Sequence, residues 1–192
     1  MILEGVVTSL NSAGELNVAP MGPIVDESLT TFVLRPFQTS RTYRNLKEHP
    51  VGVFHVVDDV LLLARAAIGK LTTEPPTLPT EVIQGRVLAA ACRWYEFEVT
   101  SLDDSTERTT IEARVVHVGR LKDYFGLNRA KHAVVEAAIL ATRLHLLEPD
   151  DVRRQLEWLR SPVQKTAGPN ETAAFALIEE FVEQTLGGRA GV

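Results

Sequence analysis

The densest gathering of chemistry-bearing side chains is the run Leu34-Arg35-Pro36-Phe37-Gln38-Thr39-Ser40-Arg41-Thr42-Tyr43-Arg44-Asn45. It sets hydroxyls (Thr39, Ser40, Thr42), guanidinium groups (Arg35, Arg41, Arg44) and an amide (Asn45) around the point where an extended segment gives way to a helix. A helix starts with unpaired N–H groups and the positive end of its dipole, so that end favours an anion. Phosphate suits the donors, because arginine forks and hydroxyls can share its oxygens. The same run also reads as a capped surface helix with solvated arginines, since Ser and Thr are frequent N-caps.

A second candidate is Asn17-Val18-Ala19-Pro20-Met21-Gly22-Pro23. Gly22 permits close approach of another group or positive φ. Flanking prolines stiffen the segment and leave backbone groups free to meet a planar ligand. It equally reads as a bulged edge strand. A third is the stripe Arg129, Glu136 and Arg143, spaced so that each step drifts only ~20° around a helix. His132 stands beside Arg129. Such a stripe is either a solvent face with ion pairs or the wall of a pocket.

The remaining residues offer less. The histidines (His49, His55, His117, His132, His145) lack metal-ligand spacing, and His55 and His117 read as strand residues of the core or rim. No G-x-S-x-G, G-x-G-x-x-G or P-loop pattern occurs. Cys92 sits alone in an apolar run. Asp58-Asp59 reads as a helix cap, and Trp94, Tyr95 and Trp158 as packing residues.

The elements that must position these groups change character along the chain. Residues 1–10, 15–25, 29–34 and 51–57 read as strands, with Pro20 and Pro23 making the second an edge or a bend. The strand at 51–57 is nearly all apolar and should be central. Residues 39–49 form a short helix capped by Ser40 and stopped by Pro50, and 60–68 a second one. Pro75, Pro76 and Pro79 leave no regular element over 71–84, a loop expected to be functional or mobile. Residues 85–102 and 106–121 read as two long strands about the turn Asp103-Asp104-Ser105. Helices are expected at 128–147, 149–160 and 169–186, with 161–168 as a joint. Strands that all precede the long helices argue for a mainly β barrel or sandwich with helices outside, an α+β arrangement, and against a Rossmann sheet.

Composition excludes several classes. The chain has 192 residues, 45% hydrophobic and 23% charged, which is ordinary for a globular protein. Its net charge of −5 makes it a poor nucleic-acid binder. The apolar run 60–64 is far short of a membrane span, and the start of the sequence shows no secretory signal. A single cysteine fits a reducing, cytoplasmic setting.

Three motifs in order carry a resemblance: Asn17-Val18-Ala19-Pro20-Met21-Gly22; Thr42-Tyr43-Arg44-Asn45-Leu46; and Asn128-Arg129-Ala130 with Glu136-Ala137 and Ala141-Thr142-Arg143-Leu144. The chain resembles, over nearly its whole length, the FMN-binding split-barrel superfamily of flavin reductases and pyridoxamine-phosphate-oxidase-like proteins. It is most similar to an uncharacterised flavin-reductase-like branch. The resemblance implies a six-stranded Greek-key-like split β-barrel over residues 1–125 and a helical tail over 126–192 packed on it. It implies a homodimer with FMN at its interface and a small-molecule electron donor and acceptor. By position, Thr39, Ser40, Arg41, Thr42 and Asn45 would hold the phosphate. Met21 and Gly22 would lie near the flavin ring, with Arg129 and Arg143 reaching the site. The branch's association with organisms that make tetrahydromethanopterin implies a redox role in one-carbon cofactor metabolism. A flavin-binding module without turnover, or a split barrel holding another planar cofactor such as haem or a deazaflavin, stays open beside it.

Overall fold

The computed structural model describes residues 1–189. The chain forms two compact units, one from residues 1–57 and 73–124, the other from residues 58–72 and the chain from 125 onward. In the first, the strands are β1 (Gly5–Leu10), β2 (Leu16–Met21), β3 (Ile24–Val25), β4 (Thr31–Leu34), β5 (Val51–Val56), β6 (Thr77–Pro79), β7 (Arg86–Leu88), β8 (Arg93–Asp103) and β9 (Thr110–Arg120), with helix α1 (Arg41–Glu48) between β4 and β5. Seven strands make one antiparallel sheet in the order β2-β1-β5-β8-β9-β4-β3.

The two end strands of that sheet are halves of one bent strand. Residues 1–10 form a single arm that pairs with β2 at Gly5–Met21 and reaches β3 at the Ile2–Ile24 bridge. Between those pairs Leu3 N–H donates to Pro23 O at 3.1 Å, and beyond the bridge Val25 N–H donates to Met1 O at 2.8 Å. The bend lies at Gly22-Pro23. A Cβ on Gly22 would stand 2.8 Å from Glu4 Oε1 and from Ile2 Cγ2, so a side chain there would push the arm away. Because β3 pairs with β4 and β4 with β9, the sheet curls back to its start. The expected mainly β split barrel with C-terminal helices is therefore observed. Its strands count as seven rather than six, because Gly22-Pro23 interrupts the second.

The barrel interior fills with aromatic and branched side chains. Phe32 meets Phe54 edge-on at 5.4 Å between centroids and Tyr95 at 5.5 Å. Phe97, Leu34 and Ile111 are fully buried around them. Edge-to-face pairs contribute roughly 0.5–1.5 kcal/mol beyond the area they bury.

β5 is buried across Gly52 to His55, as a central strand should be. Its outer face is covered by the proline-rich segment, which corrects the expectation of an irregular loop over 71–84. There β6 pairs with β7 in a short hairpin. Three polar groups on neighbouring strands pin it. Thr8 Oγ1 donates to Arg86 O at 2.7 Å. His55 Nε2 accepts from Leu88 N–H at 3.1 Å, while Nδ1 donates to Val6 O at 3.0 Å. The Glu96 carboxylate accepts from the N–H groups of Glu81, Val82 and Ile83 at 2.7–3.0 Å and from the Trp94 indole at 3.2 Å. Burial by itself would raise the Glu96 pKa, but these donors outweigh it and hold the group below the ordinary carboxylate value. Prolines limit the segment's own pairing to the short β6–β7 hairpin, and the sheet beneath supplies its other partners. The expected single strand over 85–102 is also corrected. A turn at residues 89–92 separates β7 from β8, so that β7 can turn over the sheet.

The second unit packs α2 (Val60–Ala67), α3 (Arg129–Thr142), α4 (Pro149–Thr166) and α5 (Pro169–Arg189) about one core. Asp59 caps α2 by accepting from Leu61 N–H and Leu62 N–H. Lys131 Nζ donates to Glu171 Oε1 at 2.7 Å and to Asp58 O at 2.5 Å, joining α3, α5 and the start of α2. The joint expected over 161–168 shrinks to residues 167–168, because α4 runs through Pro162 to Thr166. Proline forfeits one helical bond, yet Leu156 and Val163 on either side bury into the same core, and that packing outweighs the loss. The helix expected to reach 147 ends at Thr142 and passes into a 3₁₀ turn, Leu144–Leu146. Among the described residues no helix is long and apolar enough to cross a membrane.

Burial lowers the His55 pKa from 6.5 to about 4. The unfolded chain takes up a proton near pH 6.5 and the folded barrel does not until about 4, so stability falls as pH drops through that window. The full span corresponds to about 3 kcal/mol at roughly 1.4 kcal/mol per pKa unit. In a Trp158→Phe background, Trp94 fluorescence reports urea unfolding of the barrel. His55→Gln is expected to flatten the loss of stability between pH 6.5 and 4.5. An unchanged pH slope in that variant would remove His55 as its source.

Candidate functional site

Helix α1 is short, and its sequence explains where each face goes. Ser40 caps it with extended backbone, and its Oγ accepts from Tyr43 N–H at 3.2 Å. Thr42, Tyr43, Asn45 and Leu46 are buried, which leaves Thr39, Arg41 and Arg44 exposed and Ser40 half-buried. Two of the buried residues are polar, so they need partners. Asn17 Nδ2 donates to Thr42 Oγ1 at 3.0 Å, and Asn45 Nδ2 donates to Ser9 Oγ at 3.1 Å. Ser9 and Asn17 face each other across β1 and β2. This polar seam fixes α1 to the hairpin. Asn45 thus spends its amide donor on the sheet and Thr42 accepts from it, keeping its own hydroxyl hydrogen, while Thr39 and Arg41 are exposed at the mouth.

The mouth itself is open. Arg41 is the first helical residue, and no acidic residue lies in the first turn. A cation at the positive end of a helix is unfavourable until an anion joins it. Among the described residues, the N–H groups of Arg41 and Thr42 find no protein acceptor. The start of α3 also carries an arginine, Arg129, but there Asn128 Oδ1 takes Lys131 N–H and Thr166 Oγ1 takes Ala130 N–H. Arg44 folds back so that its guanidinium donates to Ser40 O and Thr39 O at 3.4 and 3.3 Å. The donor set therefore fits a compact dianion: two free N–H groups, the Ser40 hydroxyl hydrogen, Thr39 and Arg41.

The other sequence candidates belong to other elements. Met21 packs against the barrel core, and Gly22 lies under Glu4 and Ile2, so the close approach at this glycine is made by the protein's own arm. Met21 stands about 13 Å along β2 from Asn17, at ~3.3 Å per residue. Arg129, His132 and Glu136 are exposed on α3 and Arg143 is exposed just past its end, all in the helical unit. Arg129 and Arg143 are separated by about 21 Å along the chain's helical path. Ser9 and Asn17 owe their positioning role to α1, which follows them in the chain; the polar pair Thr8-Ser9 after the apolar Val6-Val7 is the one local sign of it. No three His, Cys, Asp or Glu gather as metal ligands among the described residues.

The seam makes a stability prediction. Asn45→Ala leaves the buried Ser9 hydroxyl only the longer bond from Asn17 Nδ2 at 3.4 Å and is expected to cost about 1–3 kcal/mol. Thr39→Ala, at an exposed position, should change stability by no more than about 0.5 kcal/mol. Urea unfolding of both variants checks this, and equal effects would contradict the seam.

Comparison with known proteins adds the following. Residues 3–122 match the family model described as protein of unknown function (DUF447) N-terminal domain, and residues 128–180 match protein of unknown function (DUF447). Among curated proteins, none matches this chain. A crystal structure of an FMN-bound protein of the same family model, from Methanosarcina mazei, superposes with a TM-score of 0.80 at 25% identity, covering 94% of each chain. The 2-nitrobenzoate 2-nitroreductase of Pseudomonas fluorescens superposes at 0.52 with 20% identity, covering 62% of this chain and 64% of that one. The styrene monooxygenase flavin reductase of Pseudomonas putida S12 gives 0.50 with 17% identity, over 62% of this chain and 81% of that one. These last two share the fold of the barrel.

Proposed function

Because the chain belongs to the DUF447 family, whose Methanosarcina mazei protein is FMN-bound, we propose that it is an FMN-binding flavoprotein of flavin-reductase-like type. The observation that carries this reading is the open mouth of α1: two N–H groups without a protein acceptor beside Arg41, with no carboxylate in the first turn. The phosphate of FMN is a dianion of matching size and charge. Ser40 would donate its hydroxyl hydrogen to it, Arg41 its guanidinium, and Thr39 its hydroxyl. Thr42 and Asn45 would hold the mouth in place through Asn17 and Ser9 rather than touch the phosphate. Met21, at the end of β2, and Gly22 just beyond it mark the direction in which the flavin ring would extend, Gly22 itself being covered by the arm.

Bound FMN supplies electron transfer between a reduced nicotinamide and an acceptor, chemistry that belongs to the cofactor. The protein's part is to bind, orient and exclude water. That division accounts for the lack of an acid–base pair among the candidates. A second copy completing the FMN site belongs to the same proposal, supported by the exposed apolar pair Ile2 and Ile24 at the closure of the barrel. Sedimentation of the FMN-loaded protein at twice the chain's mass is expected, and a monomer would contradict it. The link to tetrahydromethanopterin and one-carbon cofactor metabolism is proposed on the family resemblance.

Titration of flavin fluorescence tests the site. FMN should bind more tightly than riboflavin, which lacks the phosphate. Arg41→Ala should weaken FMN about tenfold, the size of one charge-assisted bond, and leave riboflavin unchanged. Equal affinities in the wild type would overturn the site. Bleaching of the bound flavin by NADH or NADPH distinguishes an enzyme from a module without turnover.

A further inference from the structure

The turn between β8 and β9 stitches both halves of the α1 mouth together, and one residue does so from its two ends. The Asp104 carboxylate, through Oδ2, accepts from Tyr43 OH at 2.6 Å and from Lys47 Nζ at 2.7 Å, so it grips the body of α1. Its backbone oxygen accepts from Gln38 Nε2 at 2.7 Å, so it also grips the strand-to-helix junction. Lys47 Nζ closes the group by donating to Tyr43 OH at 3.0 Å. The junction is sewn to the same turn by Gln38 N–H to Glu107 O at 2.9 Å, and by Thr109 Oγ1 and N–H to Pro36 O at 2.8 and 3.0 Å.

This arrangement is more than a surface ion pair. Tyr43 is 7% exposed, and its hydroxyl lies between a carboxylate and an ammonium group. Lys47 holds the Asp104 pKa below its ordinary value, with Tyr43 acting in the same direction, so the carboxylate is charged throughout the neutral range. The angle between the exit of β4 and the axis of α1 is fixed where Gln38 and Tyr43 both end on Asp104. That angle sets the direction of the Arg41 and Thr42 N–H groups.

We propose that Asp104 is a positioning residue for anion recognition, holding the strand exit and the helix at the angle that aims the amino end of α1 at a phosphate. The inference rests on the reading of that mouth as the FMN phosphate site. A misaimed helix end loses the phosphate interaction while the surface that meets the ring is untouched. The expected signature is therefore in the ratio of FMN to riboflavin affinity.

The experiment measures FMN and riboflavin binding to the full chain as wild type, Asp104→Ala, Asp104→Glu and Tyr43→Phe. Asp104→Ala should lower FMN affinity about tenfold with riboflavin unchanged, and Tyr43→Phe, the milder change, should do so in part. Asp104→Glu should recover most of the ratio by restoring the charge. Variants that keep the wild-type ratio, or that lose both ligands equally, overturn the positioning role. A wild type that binds the two ligands equally overturns instead the phosphate reading of the mouth, and the proposal with it.

Discussion

A helix of eight residues does not hold itself together in water, because isolated helices shorter than about 12–15 residues are marginal. α1 exists because the sheet supplies partners on both of its flanks. Thr42 and Asn45 reach the β1–β2 hairpin, and Tyr43 and Lys47 reach the β8–β9 turn. Those ties hold the helix in place while the N–H groups of Arg41 and Thr42 keep no protein acceptor among the described residues. The side chains that define the mouth are thus of two kinds: the buried polar ones that place it, and the exposed ones that can meet a ligand.

The same economy shapes the barrel. The arm of residues 1–10 pairs with both β2 and β3, so one bend at Gly22-Pro23 closes the sheet and gives the end strand β3 a second neighbour. The outer face of β5 is sealed by a hairpin too rich in proline to be stable alone. Thr8, His55 and Glu96 hold it with side chains placed on β1, β5 and β8. Buried polar groups here are satisfied, which lets them specify one arrangement of the chain.

Much of this was legible in the sequence where signals are local. Ser40 as cap, Pro50 as stop, the apolar run of β5 and the Asp59 cap all act within a few residues of themselves. What was not legible depends on partners far along the chain. Glu96 alternates with apolar neighbours and reads as a solvent-facing strand residue until the N–H groups of residues 81–83 arrive above it. Pro162 reads as a helix end until the core holds α4 on both sides of it. Asp104 reads as a turn residue, because nothing local announces that Tyr43 and Lys47, some sixty positions earlier, end on it. The site residues divided in the same way. Their grouping at the start of α1 was visible, but which of them face inward was decided by Ser9 and Asn17.

The central claim is that a dianion sits on the amino end of α1. Phosphorus NMR of FMN on the protein tests it most directly. A phosphate monoester in water loses its second proton near pH 6. Held by two N–H groups and Arg41, the dianion is stabilised, so the resonance of the bound phosphate should not titrate between pH 7.5 and 5.5. A bound phosphate that titrates near pH 6, like the free one, would place it in solvent and contradict the account.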